Sequence, residues 1–231
     1  MSNDKVEPAV VLFSGGQDST TCLYWAMKRF HPVYPLGFNY GQKHDIEIRY
    51  ARMICKTHDI RLKYIDLAFM AGIMDNLLVA DDDDEAISNK EDEGISSVFV
   101  PNRNQLFLTI AHAYAQFVEA KAVIIGVCQT DFQGFPDCRD NFIKGLQTIT
   151  NLGSAKDIRF ETPLMFLSKA EIFLLAQELG VLGRIIEETH TCYNGDHKTG
   201  HTWGYGCGNC SACIQREKGW EEFVADYETG L

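Results

Sequence analysis

The chain has 231 residues, 45% of them hydrophobic, which suits one sizeable core, and its formal net charge is −11. That charge excludes a protein that wraps nucleic acid by electrostatics alone, while leaving room for a local basic pocket that takes a small anion. Residues 1–5 hold no apolar signal region and no window has the length of a membrane span, so a cytoplasmic protein without membrane contact is expected, its eight cysteines serving as thiols or metal ligands rather than disulfides.

Residues 9–13 (Ala9-Val10-Val11-Leu12-Phe13) read as a buried strand, and a helix-like segment covers 20–30. Between them lies Ser14-Gly15-Gly16-Gln17-Asp18-Ser19, a strand-to-helix turn. Two glycines let the backbone approach a ligand, and free N–H groups with the positive end of the helix dipole then select an anion. Ser14 and Ser19 add hydroxyl donors. The plain alternative is a glycine turn with a Ser or Asp cap. What separates this stretch from it is the density of glycine and polar residues after a first strand. No Gly-Lys-Ser/Thr ends the turn, so it is not a Walker A loop.

A second strand is expected over 33–40, irregular at Pro35, then a helix over 43–57 and a third strand over 61–67. Strand, helix, strand, helix, strand is the first half of a doubly wound, mostly parallel α/β sheet. Residues 71–97, with Asp81-Asp82-Asp83-Asp84-Glu85, form an acidic excursion that reads as a solvated loop. A long helix over 105–120 follows, then a buried strand over 122–127 and a loop over 128–140 rich in Asp, Gly and Pro. A helix begins near Asn141, and 159–160 makes a short strand. Ser168-Lys169-Ala170-Glu171 is a capping box opening a helix that stops at Gly180. The division expected is 1–185 for the nucleotide-binding α/β domain and 186–231 for a small unit holding half the cysteines. If strand 9–13 is central and 122–127 lies beside it, the loops 14–19 and 128–140 face each other across the crevice where ligands of such sheets bind.

Cys207, Cys210 and Cys213 lie three apart on a turn entering a helix, with Cys192 upstream. Four thiolates and no vacant position describe a structural zinc site; an iron–sulfur cluster is the rival. His197 and His201 lie between, but the four thiols complete the set. Zinc binding there is expected to stabilise the fold by an amount on the order of 10 kcal/mol. Asp18 is either a helix cap or a carboxylate that holds Mg²⁺ against phosphates. Arg103 is either a surface arginine or an anion clamp. Lys169, a cation at a helix N-terminus, suggests an anionic partner. Asp137 and Arg139 could bind a substrate or each other.

Ser14-Gly15-Gly16-Gln17-Asp18-Ser19 resembles the SGGxDS pyrophosphate loop of the PP-loop ATP pyrophosphatases, which cleave ATP between the α and β phosphates. The segments 99–104, 126–131, 135–139, 161–164 and 191–195 and the terminal CxxCxxC resemble the 7-cyano-7-deazaguanine (preQ0) synthase family within that group. The likeness spans nearly the whole chain, although the acidic stretch 80–94 matches no motif of the family. The resemblance implies a Rossmann-like PP-loop fold with a C-terminal zinc unit. It implies a ligase that joins 7-carboxy-7-deazaguanine and ammonia through adenylated intermediates, using ATP and Mg²⁺ with one structural Zn²⁺ per chain. Phe13, Ser14, Gly15, Gly16, Gln17, Asp18, Ser19 and Thr20 would hold ATP, and Asp18, Arg103 and Lys169 would act in catalysis. Asp131, Phe135, Asp137 and Arg139 would meet the substrate, and Cys192, Cys207, Cys210 and Cys213 the zinc. A homodimer is implied, with no direct nucleic-acid partner. A tRNA sulfur transferase of the same group and a non-catalytic nucleotide-binding module are the rival readings.

Overall fold

The computed structural model describes residues 6–41, 46–72, 99–128 and 134–227. The acidic stretch 80–94 and Asp131 lie outside the described residues. Five parallel strands form the main sheet: β1 (Ala9–Leu12), β2 (Val33–Asn39), β3 (Lys63–Asp66), β4 (Ala122–Ile124) and β5 (Arg159–Glu161), in the order β3-β2-β1-β4-β5. The helices are α1 (Gln17–Met27), α2 (Ile46–Thr57), α3 (Arg103–Phe117), α4 (Asp140–Ser154), α5 (Lys169–Glu178), α6 (Leu182–Glu188) and α7 (Ser211–Tyr227). Two two-residue strands, β6 (Gly200–His201) and β7 (Gly204–Tyr205), pair antiparallel.

β1 is central and wholly buried, and alternation along it feeds two cores. Val10 and Leu12 join Leu108 and Ala111 of α3 and Ile143 and Leu146 of α4. Ala9, Val11 and Phe13 join Cys22 and Leu23 of α1, Ile54 of α2 and Ile172 of α5. Helices on both faces of a parallel sheet are the doubly wound arrangement the strand order predicts. Pro35 costs no ladder bond. Leu36 O accepts the Phe13 N–H from the β1 side, so Pro35, one residue earlier, faces β3, whose pairing begins only at Leu36.

The chain runs outward through β1, β2 and β3, then returns to place β4 against the other edge of β1. The order therefore reverses between β1 and β4, and the crevice beyond their carboxyl ends is the ligand position of such sheets. Two features open it as expected. The turn 14–16 leaves β1 straight into α1, which starts at Gln17, three residues earlier than the apolar pattern suggested. The capping box is made in full, with the Glu171 N–H donating to Ser168 Oγ at 3.2 Å and the Ser168 N–H to Glu171 Oε2 at 2.7 Å. It starts α5 with Lys169 at the crevice. α7 packs on α5, with Phe223 and Phe173 both fully buried beside Ile185 and Tyr24. Among the described residues no helix is long and apolar enough to cross a membrane.

Candidate active site at the switch point

A cavity of about 360 Å³ opens at the switch point, lined on one side by the turn 14–19 and on the other by Gly126, Phe135, Lys169 and Arg103. The turn is shaped by contact with α2 and β4. Gly15 has φ +93°, and a Cβ on it would lie 2.7 Å from Glu47 O and 2.8 Å from Ala51 N, so only glycine seats the loop on α2. A Cβ on Gly126 would stand 3.1 Å from the Asp18 main chain, which is how closely the end of β4 meets the first turn of α1.

The N–H groups of the turn are only loosely engaged. Ser14 N donates to Ser19 Oγ and Gly16 N to Ser14 Oγ, both at 3.3 Å, and Gln17 N to Thr191 Oγ1 at 3.5 Å. The two bonds within the turn are long ones that an anionic oxygen can replace with shorter, charge-assisted ones. Beside them Gln17 Nε2, Asp18 Oδ1 and Thr20 Oγ1 are buried without a hydrogen-bond partner among the described residues. Orphaned polar atoms of this kind mark a place for a ligand.

Asp18 and Lys169 form an ion pair inside the cavity, Nζ to Oδ2 2.6 Å, with the side chains 23% and 13% exposed. Lys169 Nζ also donates to Cys128 Sγ at 3.3 Å. The anionic partner that a helix-terminal lysine called for is thus supplied within the fold. The unpartnered Asp18 Oδ1 beside the turn fits a divalent cation, since Mg²⁺ is commonly held by one carboxylate together with phosphate oxygens.

Arg103 opens α3 and lies over the Tyr40 ring, 5.5 Å from its centroid. Burial works against its charge, but Tyr40, Asp137 and Tyr193 outweigh that and hold the guanidinium firmly protonated. Glu47, half-buried on α2, faces it across the cavity. Burial lifts the Glu47 carboxyl to about 7, with Arg103 pulling the other way. The wall toward β2 is apolar, built on Leu36, Phe38 and Phe107, the last two stacked at 4.2 Å.

Phe135 reaches the cavity, but two neighbours named from the sequence do not line it. Asp137 is 5% exposed, and its Oδ2 accepts the Asn104 N–H at 3.1 Å, so its carboxylate closes the N-terminus of α3. Burial raises its pKa, and the Asn104 donor and Arg103 oppose the rise. Arg139 is exposed at the residue before α4.

The four cysteine sulfurs lie within 4.8 Å of one another, with Cys207–Cys213 and Cys210–Cys192 each 4.0 Å apart. Tetrahedral zinc with bonds near 2.3 Å sets its sulfurs about 3.8 Å apart, so the cluster fits. Burial pushes the Cys207 thiol up, but N–H donors from Asn209 and Cys210 and the adjacent thiols outweigh it and bring the group down to about 6, a readily formed thiolate. His201 bonds the Gly206 carbonyl and stacks on Trp203, and His197 pairs with His190, so neither histidine joins the thiols. The β6–β7 hairpin fills the Cys192–Cys207 span and seats Trp203 against Cys192 and Cys213.

Three cavity residues escaped the sequence reading, Glu47, His190 and Arg216, and Thr191 entered it only as part of the segment 191–195, with no role given. The His190 N–H donates to Gly15 O at 3.1 Å, so the segment before Cys192 runs along the phosphate-type turn. Only its closeness to the cysteine motif could have pointed to it.

The family model described as queuosine biosynthesis protein QueC matches residues 8–224. The 7-cyano-7-deazaguanine synthase of Helicobacter acinonychis is 47% identical over 222 residues, 96% of this chain and 99% of that protein. The enzyme of the same name from Wolinella succinogenes is 46% identical over 218 residues, 94% of each chain. A solved NH3-dependent NAD synthetase from Campylobacter jejuni superposes with a TM-score of 0.47 at 17% identity, covering 79% of this chain and 69% of that one. With a match from residue 8 to residue 224 and relatives near half identity over almost their whole lengths, the chain belongs to the QueC family of queuosine biosynthesis proteins.

Proposed function

We propose that this chain is an ATP-dependent 7-cyano-7-deazaguanine synthase, joining 7-carboxy-7-deazaguanine and ammonia to give the nitrile. The observation that carries the reading is the switch-point cavity, where an anion-seeking turn, the Asp18–Lys169 pair and Arg103 converge in a member of this family.

A carboxylate is a poor electrophile. One of its oxygens attacks the α-phosphorus of ATP and pyrophosphate leaves. Ammonia then adds to the acyl carbon, AMP departs with the C–O bond, and loss of a proton leaves the amide. A second ATP adenylates the amide oxygen; its departure as AMP, with loss of the remaining N–H protons, gives the nitrile. Residues 13–20 hold the pyrophosphate by main-chain N–H groups and hydroxyls. Lys169 and Arg103 offset charge that develops on the phosphorus and carboxylate oxygens. Phe135 covers the flat base, and Asp131 is proposed from the family likeness alone as the acceptor for its ring N–H groups. Asp137 acts at one remove, by holding Asn104 and the start of α3. Asp18 would hold Mg²⁺, which neutralises the phosphate charge when bound. The four thiols of the 186–231 unit would hold one structural Zn²⁺ that orders the segment beside the turn. Ammonia as the nitrogen donor, a homodimer and a cytoplasmic location complete the reading, supported by the family likeness.

The test is direct. Protein, ATP, Mg²⁺, ammonium and 7-carboxy-7-deazaguanine are combined, and AMP and product mass are followed. Substrate-dependent AMP with the nitrile mass is expected; the absence of both would sink the reading.

A further inference from the structure

Thr191 stands between the buried end of α7 and the phosphate-type turn. Its Oγ1 accepts from Arg216 Nη1 at 2.9 Å and from the Gln17 N–H at 3.5 Å. A hydroxyl has two lone pairs and one proton. With both lone pairs facing protein donors, the proton is left for a third direction, and Thr191 lines the cavity. Gln17 lines the same cavity: it is 3% exposed, and its Nε2 has no partner among the described residues.

Arg216 fixes this arrangement. It is 1% exposed, and besides Thr191 it donates through Nε to Trp203 O at 2.9 Å and through Nη2 to Ile185 O at 2.8 Å. These three acceptors are neutral, so the guanidinium keeps its positive charge uncancelled by a contacting carboxylate. Burial brings its pKa down to about 10, while Asp18 across the cavity works to raise it. Cys192 adjoins Thr191, and Cys213 lies one turn before Arg216, so the four-thiol cluster braces both ends of the Arg216–Thr191 bond.

We propose that the Thr191 hydroxyl donates to a phosphate oxygen of ATP in this cavity, and that Arg216 is the positioning residue that aims it. The inference rests on the ATP-site reading above and adds a binding residue from the cysteine-bearing segment. It makes the C-terminal unit a wall of the nucleotide site.

The test measures ATP affinity of the full chain by calorimetry without the second substrate, with zinc content and far-UV circular dichroism as controls. Thr191→Val should weaken ATP binding about tenfold to a hundredfold, the worth of one charge-assisted bond. Thr191→Ser, which keeps the hydroxyl, should bind close to wild type. Arg216→Lys keeps the charge but loses the fork; it should weaken binding too, and the double variant should bind no worse than Thr191→Val alone. All variants should retain wild-type zinc content. Wild-type affinity in Thr191→Val, or equal loss in Thr191→Ser and Thr191→Val, overturns the Thr191 contact. Fully additive losses in the double variant overturn the positioning role of Arg216. A wild-type chain that binds no ATP overturns the functional reading itself, and this inference with it.

Discussion

Gly219 sits within α7, where helix propensity favours alanine over glycine by about 1 kcal/mol. The packing reverses that preference. A Cβ there would lie 2.4 Å from Lys169 Cβ, 3.0 Å from Lys169 C and 3.2 Å from Lys169 Cα. These atoms belong to the first turn of α5 and have no flexible tip that could swing aside. Ordinary contact begins at 3.4 Å, so α7 must move away from α5 by about 1 Å. Trp220, edge-on to Phe173 at 5.2 Å, and Phe223, fully buried, ride on the helix that moves. Overpacking of this kind costs about 1–3 kcal/mol, contact this close to rigid backbone atoms belongs in the upper half of that range, about 2–3, and the propensity gain offsets about 1 of it, for a net loss of about 1–2 kcal/mol. At about 2–4 °C per kcal/mol for a chain of this size, Gly219→Ala should melt roughly 2–8 °C lower. Part of the clash falls on α5 and shifts Lys169, whose Nζ lies 2.6 Å from Asp18 Oδ2. AMP formation should therefore fall even at temperatures where the variant is fully folded. Urea unfolding read by far-UV circular dichroism, paired with the AMP assay, checks both parts. An unfolding midpoint at or above wild type would refute the packing argument.

Asp18→Asn should abolish AMP formation and leave the unfolding free energy in urea within about 1 kcal/mol of wild type, since the pair it breaks is partly exposed; turnover at the wild-type rate would remove Asp18 from the chemistry. Cys210→Ser should lower zinc content and melting temperature together, and one zinc per chain retained by elemental analysis would refute its ligand role. Glu47 has a folded pKa raised from 4.5 to about 7, so the folded state binds more protons than the unfolded one in that window and stability falls as pH rises through it. Glu47→Gln should gain about 1–3 kcal/mol over wild type at pH 8 relative to pH 4, after discount for its partial exposure; a difference that does not change with pH would refute the burial of the carboxyl. Asp137→Ala should cost about 1–2 kcal/mol by uncapping α3 while ATP affinity holds, and a stability unchanged within error would show that the Asn104 bond is idle.

The parts of this fold that are local in sequence were legible. Residues 9–13 alternate between two cores, and the turn 14–19 carries its own anion chemistry, so strand, loop and helix could be read from one stretch. The capping box announced α5 to the residue. The thiol cluster was legible because three of its members share one turn. What escaped was either short or distant. Strands β6 and β7 have two residues each, too few for any alternation, and α6 has seven. Arg216 lies in the polar run Gln215-Arg216-Glu217-Lys218, which carries no sign that one member is buried. Its burial depends on Trp203 and Ile185, and no periodicity in α7 encodes those partners. Asp137 and Arg139 looked alike as polar residues of a pocket loop. Their fates diverge because Asp137 meets the open N-terminus of α3 while Arg139 precedes α4 at the surface.

The position of Lys169 joins these threads. A lysine at a helix N-terminus meets the positive end of the dipole and is disfavoured there. Asp18 compensates from the first turn of α1, itself a helix N-terminus where a carboxylate is favoured. The two helix ends thus face each other across the cavity, one bearing a cation and one an anion, and each residue is placed by the other's charge. Gly219 of α7 lets the backbone of Lys169 come close enough for that pairing, and Arg216, on the same helix, reaches Thr191 beside the turn. Zinc at the head of α7 would therefore govern more than the stability of a small appendage. Loosening the four thiols would free α7, and with it the packing on Lys169 and the Arg216–Thr191 bond beside the turn.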